Sequence, residues 1–488
     1  MPFGRALLND QCEYESIESR CQLCTMFSLP CGPKIPLQIL LMSSETHNDD
    51  SIPSTPPYGG ADSVDPIDSC YFSYFVSSMP HILNYIIVFP TLFGDILSRG
   101  VQDVSVRHSI LSIASFLADH RLNRSIGRFE SNYIKSLQVI QRSIAEVRVD
   151  ESLAIAVFLI AWVDAARGQY EVCRKHLRGL SIILQQVQPI CQNPVARTDR
   201  ISPLIMLIWR FAIRMDCSVS FFAFQQPVFP MMPPAEDLHR EWIRQVSGSS
   251  DALEWALAAF ALDNLFHRTC HYAIRVHHLR GGKSGQDQEV EKKVSSIVER
   301  LQTEMIAWYR RPVIDVARRL EDAIQPVSPP ADTKDPDSPS SATSSSQFLH
   351  YPELRIRNAL YANLLMTWHA LSIFLSLIRE PNLDLAFSLL RFKSGVEVCR
   401  ILAAIEADRA PAFKFHKVWA IFLAQVSFGG NRRSPREVAW LSNQINKLSI
   451  SFPLREGGGL RVFERFWDAQ GDFWEELAKV GFHVDPND

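Results

Sequence analysis

Apolar residues return every three or four positions through most of this chain, and strict alternation of apolar and polar positions is rare. Tyr133, Leu137, Ile140, Ile144 and Val147 step by four and three, which places them on one face of a helix. Asp150 then precedes the segment ESLAIAVFLIAWVDAAR, and Gly168 follows it. An aspartate can cap the free N–H groups at a helix start, and a glycine can adopt the left-handed turn that ends one. The segment between them is apolar almost all round, so the pattern predicts a buried central helix. YEVCRKHLRGLSIILQQV comes next, with Val172, His176, Leu180 and Ile183 on one stripe. The C-terminal half repeats the style in RNALYANLLMTWHALSIFLSLI, in LDLAFSLLRFKSGVEVCRILAAI, and around Phe413–Val426. Hairpin dipeptides are nearly absent. The expectation is an all-α fold in which helix pairs stack as an array, without a strict sequence repeat.

At 488 residues the chain exceeds what one compact core normally serves, so two or three packed units or one extended helical array are expected. Residues 1–34 form a cysteine-rich head. Residues 35–70 read as a flexible linker, rich in Ser, Pro, Asp and Gly. Residues 71–325 carry the first helical part. Residues 326–350 include PVSPPADTKDPDSPSSATSSSQ, too polar to order itself by burial, and 351–488 carry the second helical part. The start of the chain lacks the basic and apolar blocks of a signal peptide. No uninterrupted apolar run reaches ~18 residues, so no membrane span and no membrane partner are expected. Lys+Arg number 50 against Asp+Glu 53, a net charge of −3, so any contact with DNA must come from a local basic patch.

The ten cysteines are unevenly placed. Cys70, Cys173, Cys191, Cys217, Cys270 and Cys399 stand singly in mostly apolar surroundings and read as reduced core residues of a cytosolic or nuclear protein. Cys12, Cys21, Cys24 and Cys31 crowd into the head as C-x8-C-x2-C-x6-C, closed by Pro30-Cys31-Gly32-Pro33. The C-x2-C step lets two thiolates of one turn reach the same metal, and thiolates select Zn²⁺ in a reducing compartment. The head has too few large apolar residues to bury four cysteines as core.

This head resembles the second half of the fungal zinc binuclear cluster (Zn2Cys6), whose pattern is C-x2-C-x6-C-x(5–12)-C-x2-C-x(6–8)-C. The resemblance makes Cys12 the third family cysteine and Cys21, Cys24 and Cys31 the last three. The first two would fall near Pro2 and Arg5, and the family's basic stretch on Ala6–Gln11, which contains no Lys or Arg. In the family two Zn²⁺ share six thiolates and the basic half enters the major groove. Four thiolates hold at most one well-formed Zn²⁺. The head carries Arg5, Arg20 and Lys34 against Asp10, Glu13, Glu15 and Glu18, so it gains little from counterion release at phosphates. Two readings stay open: preceding sequence completes the cluster, or this chain does not bind DNA by itself.

Tyr71-Phe72-Ser73-Tyr74-Phe75, the apolar segment around Pro90, and His108-Ser109-Ile110-Leu111-Ser112-Ile113-Ala114-Ser115 resemble the opening of the fungal-specific transcription factor domain. Leu153–Trp162 and His176-Leu177-Arg178-Gly179-Leu180 resemble its central part. The resemblance implies a nuclear regulator of RNA polymerase II target genes, including metabolic or secondary-metabolite clusters. Its implied partners are DNA, the transcriptional machinery or co-regulators, and a second copy of the chain. The alternative is a helical interaction or effector-sensing protein of the same lineage that does not bind DNA.

No enzyme is expected. His267-x2-Cys270-His271 has helical spacing, but lacks the glutamate of a zinc hydrolase, and reads as a solvated basic face with Arg268, Arg275 and Arg280. Gly282-Lys283-Ser284 lacks the upstream glycine of a phosphate loop, and Gly457-Gly458-Gly459 reads as a turn. No nucleophile elbow occurs. His176 reads as a hydrogen-bonded packing residue and Gly179 as a point of close helix approach. The aromatic face of Phe463, Phe466, Trp467, Phe473 and Trp474 reads first as a packed terminal helix, and second as a partner surface. Ser328-Pro329 and Ser338-Pro339 are phosphorylatable dipeptides of a type common in linkers.

Overall fold

The computed structural model describes residues 66–82, 90–122, 128–187, 202–223, 225–230, 250–281, 288–310, 324–326, 354–356, 358–380, 389–407, 418–428, 439–441 and 443–444. These form helices α1 (Pro66–Ile82), α2 (Pro90–Gln102), α3 (Val104–Leu122), α4 (Arg128–Ala145), α5 (Glu151–Ala166), α6 (Tyr170–Val187) and α7 (Pro203–Ala223). They continue with α8 (Ser250–Gly281), α9 (Gln288–Tyr309), the strands β1 (Ile324–Pro326) and β2 (Leu354–Ile356), and helices α10 (Ala359–Arg379), α11 (Leu389–Ala407) and α12 (Val418–Phe428). The described residues are thus overwhelmingly helical. Each helix from α2 onward touches the next, and α1–α3, α3–α5, α5–α7, α8–α10 and α10–α12 also touch. Contacts to the next helix and the next but one are those of stacked helix pairs.

The predicted central helix is α5. The Asp150 carboxylate accepts from the Leu153 N–H at 2.9 Å, satisfying a donor the helix leaves open. At the far end Gly168 has φ 73°. There the Gly168 N–H donates to the Ala165 carbonyl at 3.1 Å and the Gln169 N–H to the Asp164 carbonyl at 2.9 Å. That pair of reversed bonds closes the last turn and needs a residue free to take positive φ. Every residue of α5 from Ser152 to Ala166 is buried, because α3, α4, α6 and α7 all pack on it.

Two predicted stripes shift. On α4, Ile140 is buried, but Ile144 is 53% and Val147 81% exposed. The buried face is Phe129, Asn132, Ser136, Ile140 and Ser143. Small polar residues let α3 and α4 approach closely, and the hydroxyls of Ser109 and Ser136 meet at 2.6 Å. The helix ends at Ala145, and Val147 turns out with φ 57°. On α6 the inward face is Tyr170, Cys173, Arg174, Leu177, Leu180, Ser181, Ile183 and Leu184, so Val172 lies outside it. In both helices a polar side chain with an interior partner displaces an aliphatic one.

A short antiparallel ribbon is a second departure. β1 pairs with β2, from Ile324↔Ile356 to Pro326↔Leu354, where the sequence predicts helix up to 325 and again from 351. The polar segment between the strands lies outside the described residues.

The C-terminal helices share the core of the earlier ones. Phe221 of α7 meets Phe374 of α10 and Phe422 of α12 edge-on, at 5.1 and 5.6 Å between ring centroids. Phe266 of α8 stacks on Trp419 of α12 at 4.3 Å, and the Trp308 indole N–H of α9 donates to the Ala258 carbonyl of α8 at 2.9 Å. By length and hydropathy α10 would reach across a membrane over Tyr361–Arg379, and 78% of that stretch is buried inside the fold. The free cysteines Cys70, Cys173, Cys217, Cys270 and Cys399 are all buried.

Gly179 is not a point of close approach: a Cβ added there meets nothing within 4 Å. A close approach is found instead at Gly395 on α11, where a Cβ would strike the Ser427 hydroxyl and lie 3.2 Å from the Phe428 ring. Gly179→Ala should therefore raise stability by roughly 0.5–1 kcal/mol, because helix-interior glycine carries extra backbone entropy. Gly395→Ala should lower it by roughly 1–3 kcal/mol through overpacking. Urea denaturation of the two variants checks the opposite signs.

Candidate functional site, a buried polar seam through the helical array

The chemistry-bearing side chains of the described residues gather along a seam between α4 and α8. Its first node is Asp164 near the end of α5. The side chain is fully buried, an unfavourable place for a carboxylate unless it is partnered. The Tyr133 hydroxyl of α4 donates to Asp164 Oδ1 at 2.9 Å, and His176 Nε2 of α6 lies 3.3 Å from Oδ2. The Arg167 guanidinium is 4.0 Å from Oδ1 and sits over the Phe129 and Tyr133 rings. Burial raises the Asp164 pKa to about 7, against the opposing pull of the Tyr133 hydrogen bond and of Arg167. Burial likewise lowers that of His176, so the imidazole is neutral at neutral pH.

The second node is Asp216 on α7. Its carboxylate accepts the Phe229 N–H at 2.9 Å and the Ser220 hydroxyl at 3.1 Å. Arg174 of α6 donates to Ser220 Oγ at 2.7 Å and to the Gln226 carbonyl at 3.0 Å. The Gln225 amide donates to Glu171 at 2.9 Å. Burial raises the Asp216 pKa to about 6, opposed by the backbone N–H groups of Phe229 and Val228, by Arg174 and by Ser220. Cys173 lies electrostatically between the two nodes, its thiol pushed up by burial and then by Asp164 and Asp216.

The third node is on α8. His271 Nε2 is 3.1 Å from the Phe229 carbonyl oxygen, and the His267 ring meets the His271 ring edge-on at 4.7 Å. His267 is 0% exposed, and burial, then His271, lower its pKa to about 3. Asp263 on the same helix pairs with Arg214 of α7 at 3.2 Å. Phe229 thus gives its N–H to α7 and turns its carbonyl toward α8, pinning 225–230 between them.

These contacts correct the expectation of a solvated His267–Cys270–His271 face. His267 and Cys270 are buried and His271 is half-buried, because α8 is covered by α7, α9 and α10. Arg268 does reach outward, to Glu304. His176 is a partnered packing residue, as its stripe suggested. Sequence reasoning missed Asp164, Asp216, Arg174 and Tyr133. The signal for the acids was present: each is the lone carboxylate in a long apolar stretch, AIAVFLIAWVDAA and RFAIRMDCSVSFF. Among the described residues no three His, Cys, Asp or Glu converge as metal ligands. Cys12, Cys21, Cys24 and Cys31 lie outside the described residues, as do Gly282–Ser284, Gly457–Gly459, the two Ser-Pro dipeptides and the aromatic tail face.

The seam presents carboxylates enclosed by tyrosine, arginine and backbone, which suits it to hold helices in register. Its ionisation also couples to stability. The folded Asp164 keeps its proton to about pH 7, whereas the unfolded one loses it near pH 3.8. Between those values the folded state binds more protons, so this group costs stability as pH rises from about 4 to about 7. Asp164→Asn keeps an oxygen for Tyr133 and removes the charge. It should gain on the wild type by on the order of 1 kcal/mol or more between pH 5 and pH 8. Chemical denaturation at the two pH values checks this, and a difference independent of pH would refute it.

Residues 69–307 match the family described as fungal specific transcription factor domain. No curated protein and no solved structure was found to match the chain.

Proposed function

We propose, from a fungal specific transcription factor domain spanning residues 69–307, that this protein is a nuclear fungal regulator of RNA polymerase II transcription and not an enzyme. The family match carries the reading, and it falls on the helices α1 to α9 that hold the polar seam. In this reading the array is the regulatory body, which binds co-regulators or the transcriptional machinery, and metabolic or secondary-metabolite genes are its targets. The head is derived from a zinc cluster, with one Zn²⁺ held by Cys12, Cys21, Cys24 and Cys31, a set of four thiolates with suitable C-x2-C spacing.

One observation favours a second reading, in which the chain regulates through partners without touching DNA itself. The head's four acids and three bases, and the lack of Lys or Arg between residues 6 and 11, give phosphates little to bind. Transcript profiling after deletion of the gene tests the shared claim: a defined gene set should change, and an unchanged transcriptome would sink both readings. Chromatin immunoprecipitation of the full chain, with the purified chain in a gel shift, separates them. Occupancy together with a shift supports direct binding, whereas occupancy without one supports recruitment by a partner.

A further inference from the structure

We propose that the outer face of α4 is a homodimer seam, on which a second copy of this chain packs its own α4 antiparallel. The helix is built inside out. It turns Asn132, Ser136 and Ser143 inward together with Phe129 and Ile140, whereas Ile134 is 52% and Ile144 53% exposed. A lone chain leaves these two large aliphatic side chains in water. Val147, just past the helix end, is also exposed and is held at φ 57°, a conformation disfavoured for a β-branched residue. The outer face has the spacing of a helix-pair seam. Ile134, Leu137, Gln141 and Ile144 follow one another at steps of three, four and three, as the a and d positions of a heptad do. Leu137 is half-buried, and Gln138, Gln141 and Ala145 are exposed. Lys135 and Arg142 each come one residue after a seam position, about 100° round the helix. The seam from Ile134 to Ile144 is therefore uncharged.

That composition selects the occupant. A two-fold interface sets one patch against its own copy, so a charge at its centre would meet its like. An uncharged aliphatic centre suits a second copy of itself. The charges at the ends choose the direction. Setting Ile134 against the partner's Ile144 also sets Leu137 against the partner's Gln141. The same register brings Glu130, exposed at the start of α4, toward the partner's Arg148. Within its own chain Arg148 holds Asp103 and Asp150 and is still 54% exposed. A parallel pair would instead set Glu130 against its own copy, a like-charge contact. This inference does not depend on the gene-control reading, since it concerns only how the purified chain associates.

The test is sedimentation equilibrium of the purified full chain over a range of concentrations. It should show reversible association to twice the mass of one chain. One helix pair makes a small interface, so the dimer should be weak and should form toward the upper end of that range. The double variant Ile134→Lys, Ile144→Lys should stay monomeric throughout, with the circular dichroism and urea midpoint of the wild type, because both side chains are exposed. Single cysteine variants read the register. Ile134→Cys mixed with Ile144→Cys should give a bis-maleimide crosslink between those two positions, mapped by mass spectrometry, and neither variant alone should link to its own copy there. A wild type that stays monomeric at the highest concentration reached would overturn the proposal. So would a dimer that survives in the double variant, or a crosslink from position 134 to position 134. Should the double variant fail to fold, the crosslink map decides the matter.

Discussion

Asp216→Ala should cost roughly 3–5 kcal/mol of stability, the loss expected when one member of a buried charged network is removed and the others stay in place. The Asp216 carboxylate is fully enclosed and accepts the Phe229 N–H and the Ser220 hydroxyl. Its removal orphans a backbone donor that has no route to water, and it leaves Arg174 buried without its nearest opposite charge on α7. Asp216→Asn keeps an oxygen for the Phe229 N–H and should fall between alanine and wild type. The damage should spread along the contacts. Freed from Asp216, residues 225–230 lose the anchor that presents the Phe229 carbonyl to His271. Hydrogen exchange should therefore rise at Phe229 and over the middle of α8 before it rises in α3. Urea titration gives the stability, and exchange mass spectrometry gives the order. A loss under 1 kcal/mol would mean that the network does not hold α7 to its neighbours.

Residues explain how much of this was legible in the sequence. Asp150 and Gly168 marked the ends of α5 correctly, since capping is a local matter of side-chain chemistry and permitted φ. The all-round apolar character of α5 was likewise readable, because a helix wrapped on all sides needs no preferred face. The stripes on α4 and α6 slipped because a hydrophobic period records only what a helix prefers to bury. What it does bury depends on its neighbour, and at α4 the neighbour offered Ser109, which meets Ser136. Gly179 misled for the same reason: a glycine in a helix signals close approach only if another helix arrives there, and here one arrives at Gly395. Links of the polar seam such as Tyr133 to Asp164 and Arg174 to Gln226 join residues 31 and 52 positions apart in sequence, and no short window along the chain contains both sides of these. Single acids within apolar stretches were its one visible trace. The β1–β2 ribbon pairs strands of three residues each, too short for alternation to register.

The second large effect is expected at Phe221, where a single ring joins helices inside the 69–307 match to helices beyond it. Phe221 is 4% exposed. It meets Phe222 of its own helix at 5.3 Å, Phe374 of α10 at 5.1 Å and Phe422 of α12 at 5.6 Å, all edge-on. Edge-on rings gain from the opposed signs of ring face and rim, beyond the apolar area they bury. Phe221→Ala removes three such contacts and leaves a void among rigid rings that cannot collapse to fill it. The loss should be roughly 3–5 kcal/mol. Phe221→Leu refills most of the volume and should cost distinctly less. Phe158→Ala is the control. It removes a stacked ring at 5.9 Å from Phe211, between α5 and α7, and should weaken the array without loosening α10 and α12 first. For Phe221→Ala the reverse holds: in limited proteolysis, protection of α10 to α12 should fall while α3 to α6 stay resistant. If both variants lose protection everywhere at the same protease concentration, Phe221 is an ordinary core residue and the C-terminal helices melt as one unit with the rest.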